Sequence, residues 1–423
     1  MFPISSADDP MNFTDALFTS TSATCVTGLA VRDTGSEMTL FGQFVILGLI
    51  QIGGLGIMTL STIFLLIAGK RPSMTERILI SDTFTYGGER SIREILQDIM
   101  MFTFSIEGIG AIILFFCFLP EMHWTKALYY SIFHSISAFC NAGFSLFSDS
   151  FVSFREDWVV NLTICFLIIS GGIGFLVLSE LKRYFPFDRK TWGRLSLHSK
   201  LVISSTIILL ILSTLCILII EWDNTLTSLS VPGRFLAAFF QAVNVRTAGF
   251  NTIAINQMAN QTLFIMILMM LIGASPGSCG GGIKTTTVST LAIVGMSRLL
   301  GYDRPQIFYR TIPFSSIWKA ASVGMVSALV VVIGTLFLLT SELGEVSHLQ
   351  TIGKFLELLF EAVSAFATVG LSTGITSEIS ELGEIILSMM MFAGRLGPMV
   401  LTIAVSRKQS LPYYYAEENI MIG

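Results

Sequence analysis

Phe360-Glu361-Ala362-Val363-Ser364-Ala365-Phe366-Ala367-Thr368-Val369-Gly370-Leu371 is a short apolar segment that ends in glycine. It has three counterparts in the chain. Ser22-Ala23-Thr24-Cys25-Val26-Thr27-Gly28-Leu29, Ser137-Ala138-Phe139-Cys140-Asn141-Ala142-Gly143-Phe144 and Asn244-Val245-Arg246-Thr247-Ala248-Gly249-Phe250 end in the same way. The four glycines are separated by 115, 106 and 121 residues. Four related loops at near-equal spacing predict four walls around one axis.

The composition says what surrounds that axis. Of 423 residues, 52% are hydrophobic and only 13% charged, about half the ~25% charge of a soluble globular protein. The chain reads as an all-α membrane protein, because helices satisfy their own backbone groups in lipid. A net charge of −4 leaves no basic footprint for nucleic acid. The six cysteines (Cys25, Cys117, Cys140, Cys165, Cys216, Cys279) are scattered, with no C-x-x-C, so neither a zinc site nor a disulfide framework is indicated. The four histidines form no metal-spaced set and no nucleophile–base arrangement is present. An enzyme reading has no support.

Working outward from the loops, the apolar spans fall at 41–68, 99–119, 158–181, 201–220, 262–300, 317–340 and 385–405. Short apolar segments at 14–24, 127–139, 234–244 and 355–367 precede the four glycine loops. At roughly 11–13 residues each is below the ~20 needed to cross a bilayer and fits a re-entrant helix. An amphipathic surface helix is the alternative for any one of them, and four in register argue against it. The resulting pattern is span, short helix with glycine loop, span. It predicts M1–P-loop–M2 repeats at 1–69, 70–183, 184–300 and 301–408, with 409–423 a cytoplasmic tail. The first repeat lacks its M1, and Met1-Phe2-Pro3-Ile4-Ser5 reads like the outer end of a truncated helix. Of the 25 Lys and Arg, 17 lie in 70–98, 182–200, 298–319 and 407–408. The positive-inside rule places those segments in the cytoplasm, so all four glycine loops enter from outside.

A desolvated ion needs oxygen ligands, and backbone carbonyls supply them where glycine permits an unusual backbone. Thr-Val-Gly also opens the filter signature of potassium channels. The candidate filter is Val26, Thr27, Gly28, Asn141, Ala142, Gly143, Thr247, Ala248, Gly249, Thr368, Val369 and Gly370. None of these is a carboxylate. Carbonyls and the negative C-terminal ends of the short helices then favour a large, weakly hydrated cation. Asp33, Asp149 and Glu361 either attract cations to the mouth or cap local turns. Gly53-Gly54-Leu55-Gly56, Gly171-Gly172-Ile173-Gly174 and Gly394-Arg395-Leu396-Gly397 align in the spans that follow the loops. Glycine there allows close helix approach. Arg395 stands where the others have glycine, and an arginine at membrane depth should face the pore or a carboxylate. In the third repeat, 272–285 is broken by Gly273, Ser275, Pro276, Gly277, Gly280, Gly281 and Gly282 before Lys284. Irregular backbone at this depth must be buried in protein or line a cavity. It reads as a plug under the filter with glycine hinges, or as a packing kink. It is not a phosphate loop, because Ile283 separates the glycines from Lys284.

The four loops, G-G-L-G after the first, R-T-A-G-F-N, S-A-F-A-T-V-G-L and A-G-R-L-G-P resemble the Trk/Ktr/HKT superfamily of cation transporters, with the bacterial Ktr membrane subunit most similar. The resemblance implies four M1–P–M2 units around a pore, with Gly28, Gly143, Gly249 and Gly370 in the filter. It implies that 273–284 is an intramembrane gating loop and Arg395 the pore arginine. The permeant ion is then K+, with no cofactor and no resident metal. In related plant transporters a serine at the first filter glycine accompanies sodium preference, so Gly28 argues for potassium. It also implies a homodimer on cytosolic nucleotide-binding RCK-type subunits, in a plasma membrane that is the bacterial inner membrane. A sodium-selective or Na+/H+-coupled symporter and the potassium-binding subunit of an ATP-driven pump are the alternatives.

Overall fold

The computed structural model describes residues 5, 6, 11–56, 92–186 and 190–397. Fourteen helices account for most of these residues: α1 (Phe13–Cys25), α2 (Leu40–Leu55), α3 (Ile92–Phe118), α4 (Trp124–Phe139), α5 (Trp158–Ile173), α6 (Phe175–Arg183), α7 (Thr191–Arg194), α8 (Leu197–Glu221), α9 (Val231–Asn244), α10 (Asn260–Leu271), α11 (Thr285–Leu299), α12 (Phe314–Leu343), α13 (Lys354–Ala367) and α14 (Glu381–Leu396). One small departure from an all-helical chain is a two-residue ribbon, Gln306–Ile307 against Arg310–Thr311.

The helices start where side chains cap them. Thr39, Asp157, Ser196, Ser230 and Ser380 each accept a hydrogen bond from a backbone amide of the first turn of α2, α5, α8, α9 and α14, satisfying donors that a helix leaves unpaired. The short helices α1, α4, α9 and α13 match the predicted re-entrant segments closely.

Among the described residues, α8, α12 and Leu96–Phe118 of α3 are long and apolar enough to cross a membrane. Their outward faces carry Phe104, Ile112 and Phe116, Ile208, Ile211 and Ile219, and Met325, Val332 and Phe337, all exposed. Polar groups sit inside instead, including Glu107, Thr206 and Ser327. That distribution suits a lipid surround and would be costly in water.

The packing order explains the ring. Within a unit, α1 packs on α2, α3 on α4, α4 on α5, α8 on α9, α12 on α13 and α13 on α14. Each helix that follows a glycine loop also packs on the short helix of the next unit: α2 on α4, α5 on α9, α10 on α13, and α14 back on α1. The last contact joins the end of the described chain to its beginning and closes the circle.

Close approach at these contacts is made by glycine. A Cβ at Gly53, Gly171 or Gly394 would fall under 3.0 Å from the carbonyl oxygen of Thr24, Phe139 or Phe366. All three carbonyls stand four residues before a loop glycine. Gly394→Ala is therefore expected to destabilise the fold by about 1–3 kcal/mol through overpacking, read as a lower thermal unfolding midpoint. Gly295→Ala, with nothing within 4 Å of the new methyl, should leave the midpoint unchanged.

Two predicted spans are broken and two run beyond the described residues. The span at 158–181 is not straight: it breaks at Gly174, whose φ is 97°, and α6 leaves α5 at 97°. The span at 262–300 breaks between Leu271 and Thr285, as the glycines and proline there predict. The spans at 41–68 and 385–405 begin as α2 and α14, and each helix ends at a glycine (Gly56, φ 84°, and Gly397, φ 80°). Residues 57–91 and 398–423, including the predicted tail, lie outside the described residues.

Candidate ion-binding site

The four glycine loops meet. The C-terminal ends of α1, α4, α9 and α13 converge, and each loop has the same backbone rhythm. Val26, Asn141, Thr247 and Thr368 are left-handed, with φ of 58°, 59°, 69° and 51°. Two residues later, Gly28, Gly143, Gly249 and Gly370 have φ of 99°, 71°, 79° and 87°. Positive φ is rare for β-branched residues, so three such residues at this one position mark a constrained structure.

Contacts between the loops run in one direction around the ring. A Cβ at Gly28 would lie 2.5 Å from the Ala142 carbonyl oxygen, at Gly143 2.9 Å from that of Ala248, and at Gly249 2.7 Å from that of Val369. At Gly370 it would run into the carbonyl oxygen of Thr27, closing the circle. Each glycine thus abuts the carbonyl of the residue before the next glycine. All twelve residues named from the sequence come together here. Nine are buried, Gly28, Gly143 and Gly249 are partly exposed, and none carries a charge.

Residues that hold the loops in shape were missed by sequence reasoning. Ser22 and Ser364 accept from the amides of Gly28 and Gly370, each at 3.1 Å. Ser137 donates to the Phe144 carbonyl at 2.7 Å. In the third loop Asn244 takes this part and accepts from the Phe250 amide at 3.0 Å. The signal was present as a serine six residues before three of the four glycines. Ser364→Ala leaves a buried amide unpaired and is expected to lower stability by about 1–3 kcal/mol, measured by thermal unfolding. Ser20→Ala, which removes an exposed hydroxyl bonded to Leu17, is the comparison and should change little.

Beneath the ring lies the broken segment between α10 and α11. Ile272 and Ile283 form a parallel bridge, and the Gly273 amide donates to the Ile283 carbonyl at 2.9 Å. The loop so closed is seated on the break in the second unit. Ser275 and Cys279 amides donate to the carbonyls of Gly172 and Gly171, each at 3.1 Å, and the Phe175 amide donates to Gly277 at 2.9 Å. The bend at Gly174 frees these groups from helical pairing. Pro276 belongs to the same contact, since its carbonyl oxygen faces Gly174.

The upper side of the loop touches the ring itself. A Cβ at Gly280 would strike the Thr247 hydroxyl, and one at Gly281 the Thr368 hydroxyl, while Gly282 lies against Ala367. The Gly281 amide donates to Thr368 Oγ1 at 3.0 Å. The expected role of Gly280, Gly281 and Gly282 as hinges is therefore not what the geometry displays. Gly280 and Gly281 are close-approach residues with no room for a side chain, and Gly282 is held at a φ of 70°. Lys284 turns back and donates from Nζ to the Gly280 carbonyl at 2.7 Å.

Arg395 pairs with backbone carbonyls rather than with a carboxylate. Its guanidinium donates to the carbonyl oxygens of Cys279, in the loop, and Gly53, at the end of α2. It ties the plug to the opposite side of the ring. The three acids near the mouth serve local turns. Asp33 accepts from the Gly35 amide at 2.7 Å, Asp149 from the Ser153 amide at 3.1 Å, and Glu361 from the Thr373 amide and the Ser372 and Thr376 hydroxyls.

A ring of uncharged backbone with a plug beneath it can pass a desolvated cation. The TrkH family, described as cation transport protein, matches residues 2–414. This chain belongs to the TrkH family. It is 38% identical over 98% of its length, and 89% of the relative's, to the Ktr system potassium uptake protein B of Vibrio alginolyticus. It is 39% identical over its whole length, and 92% of the relative's, to the protein of the same name from Bacillus subtilis. The crystal structure of the potassium transporter TrkH from Vibrio parahaemolyticus superposes with a TM-score of 0.72, at 21% identity, over 94% of this chain and 79% of that one. The chain has the TrkH fold, and its family membership makes it a multi-pass membrane transporter and not an enzyme.

Proposed function

We propose that this chain carries K+ into the cell across the plasma membrane, through the ring formed by 26–28, 141–143, 247–249 and 368–370. The observation that carries the reading is the one-way circle of glycine-to-carbonyl contacts, which leaves uncharged backbone as the material around the axis. Uncharged oxygen ligands favour an ion that sheds water easily. The relatives named for potassium uptake support the choice of ion. In this reading the chain divides at 1–69, 70–183, 184–300 and 301–408 into four units. The plug at 273–284, pinned by Arg395, is the gate, and the basic segments between units face the cytoplasm. The assembly is a homodimer on a cytosolic nucleotide-binding ring, a proposal that rests on the resemblance to Ktr membrane subunits.

The test is rubidium and potassium uptake by cells that lack their own potassium uptake systems. Expression of this chain should restore growth at low K+, with Na+ competing poorly. Uptake that requires stoichiometric Na+ entry would replace this reading with a symporter.

A further inference from the structure

The four residues at the inner end of the ring are not equivalent. Val26 has no polar group. The side chains of Asn141 and Thr247 are joined to each other, the Thr247 hydroxyl donating to the Asn141 amide oxygen at 3.2 Å. Thr368 alone among the four offers its hydroxyl to the plug, where it accepts from the Gly281 amide at 3.0 Å. Both partners are buried. This bond joins residues 87 positions apart, and it joins the element that holds the ion to the element that blocks its exit.

The electrostatics of that contact are antagonistic. An N–H group presents positive charge to the oxygen it bonds. A cation at the inner end of the ring presents positive charge to the same oxygen, only a few ångströms away. We propose that Thr368 positions the plug: its hydroxyl is both an inner ligand of the ring and the latch of the 272–284 loop, so that a bound K+ ion and a seated loop exclude one another. The proposal rests on the potassium reading above and adds a rule to it. Ion entry from the ring side loosens the loop, and an ion-free ring lets it close. Glycine at 280 and 281 is needed because any side chain would hold the loop away from Thr247 and Thr368. Arg395 holds the same loop at a second point, the Cys279 carbonyl, and so sets how firmly the loop is seated.

Amide hydrogen exchange of 273–284 tests this in the full chain in lipid nanodiscs, compared in KCl and in choline chloride at equal ionic strength. The loop should exchange about fivefold faster in KCl, the value of one net hydrogen bond. In Thr368→Val it should exchange fast in both salts, and Thr368→Ser, which keeps the hydroxyl, should restore the difference. Gly281→Ala leaves the ring's own atoms in place and pushes the loop off, so it too should exchange fast in both salts. Equal exchange of the parent in the two salts, or a K+ effect that survives in Thr368→Val, overturns the latch. Rubidium uptake by proteoliposomes of the same preparation separates the two failures. Uptake without a K+ effect on the loop removes the latch and leaves the transport reading standing. Absence of both removes both.

Discussion

Gly370→Ser is expected to erase discrimination between K+ and Na+ and to reduce rubidium uptake by about tenfold or more. Two causes act together. The backbone at residue 370 has φ of 87°, which a side chain resists at a cost of about 1–3 kcal/mol. The new Cβ would also press on the Thr27 carbonyl and approach the Gly28 Cα to 3.0 Å. The fourth wall then cannot seat against the first, and the circle opens at its closing contact. With about 1.4 kcal/mol per tenfold, even the low end of the strain is visible in uptake. Gly374→Ser is the control. Its φ is 102° but nothing lies within 4 Å of the added carbon. It should lose stability and keep its ion preference. An unchanged K+ to Na+ ratio in Gly370→Ser would remove the filter assignment.

The second large effect is expected at Arg395. Arg395→Gln removes a cation that donates to both Cys279 and Gly53. Hydrogen bonds to charged groups contribute about 1.5–3 kcal/mol each, so loss of one alone corresponds to about tenfold or more in loop release. It also removes positive charge from the path of a permeant cation. Rubidium flux through proteoliposomes should rise by about tenfold. Arg395→Lys keeps the charge but not the forked reach to two carbonyls, and should fall between the parent and the glutamine variant. A folded Arg395→Gln with reduced flux would mean that the loop is not the barrier.

Much of this was legible in the sequence because it rests on backbone demands that few residues meet. The four loop glycines announced positive φ, and the apolar segments before them were too short to cross a bilayer. Ser275-Pro276-Gly277 announced a broken helix. Less legible was whatever passes between backbone groups without a side-chain signature. Gly171-Gly172-Ile173-Gly174 reads like Gly53-Gly54-Leu55-Gly56, and hydropathy runs on through it. Nothing in it says that Gly171 and Gly172 will offer carbonyls to a loop a hundred residues away. Glycine is also ambiguous: Gly280 and Gly281 were read as freedom to move, and they are places where two surfaces touch. Arg395 was recognised as out of place in an apolar span, but carbonyl partners leave no pattern in a sequence. The serines before the glycines do not stand out on their own, because hydroxyls are common in short apolar helices, and only geometry shows Ser22 and Ser364 accepting from the loop glycines and Ser137 donating to the Phe144 carbonyl.

The closing contact between α14 and α1 bears on how such a ring can change over generations. All four walls come from one reading frame, so a substitution enters the circle once. In a ring of four identical chains the same codon change would be copied into every wall, and a penalty of about 1 kcal/mol would be multiplied by four. Here each wall can be altered separately, in quarter steps. Val26, Asn141, Thr247 and Thr368 hold one position in the circle with three kinds of side chain, an inequality that no ring of identical subunits could carry.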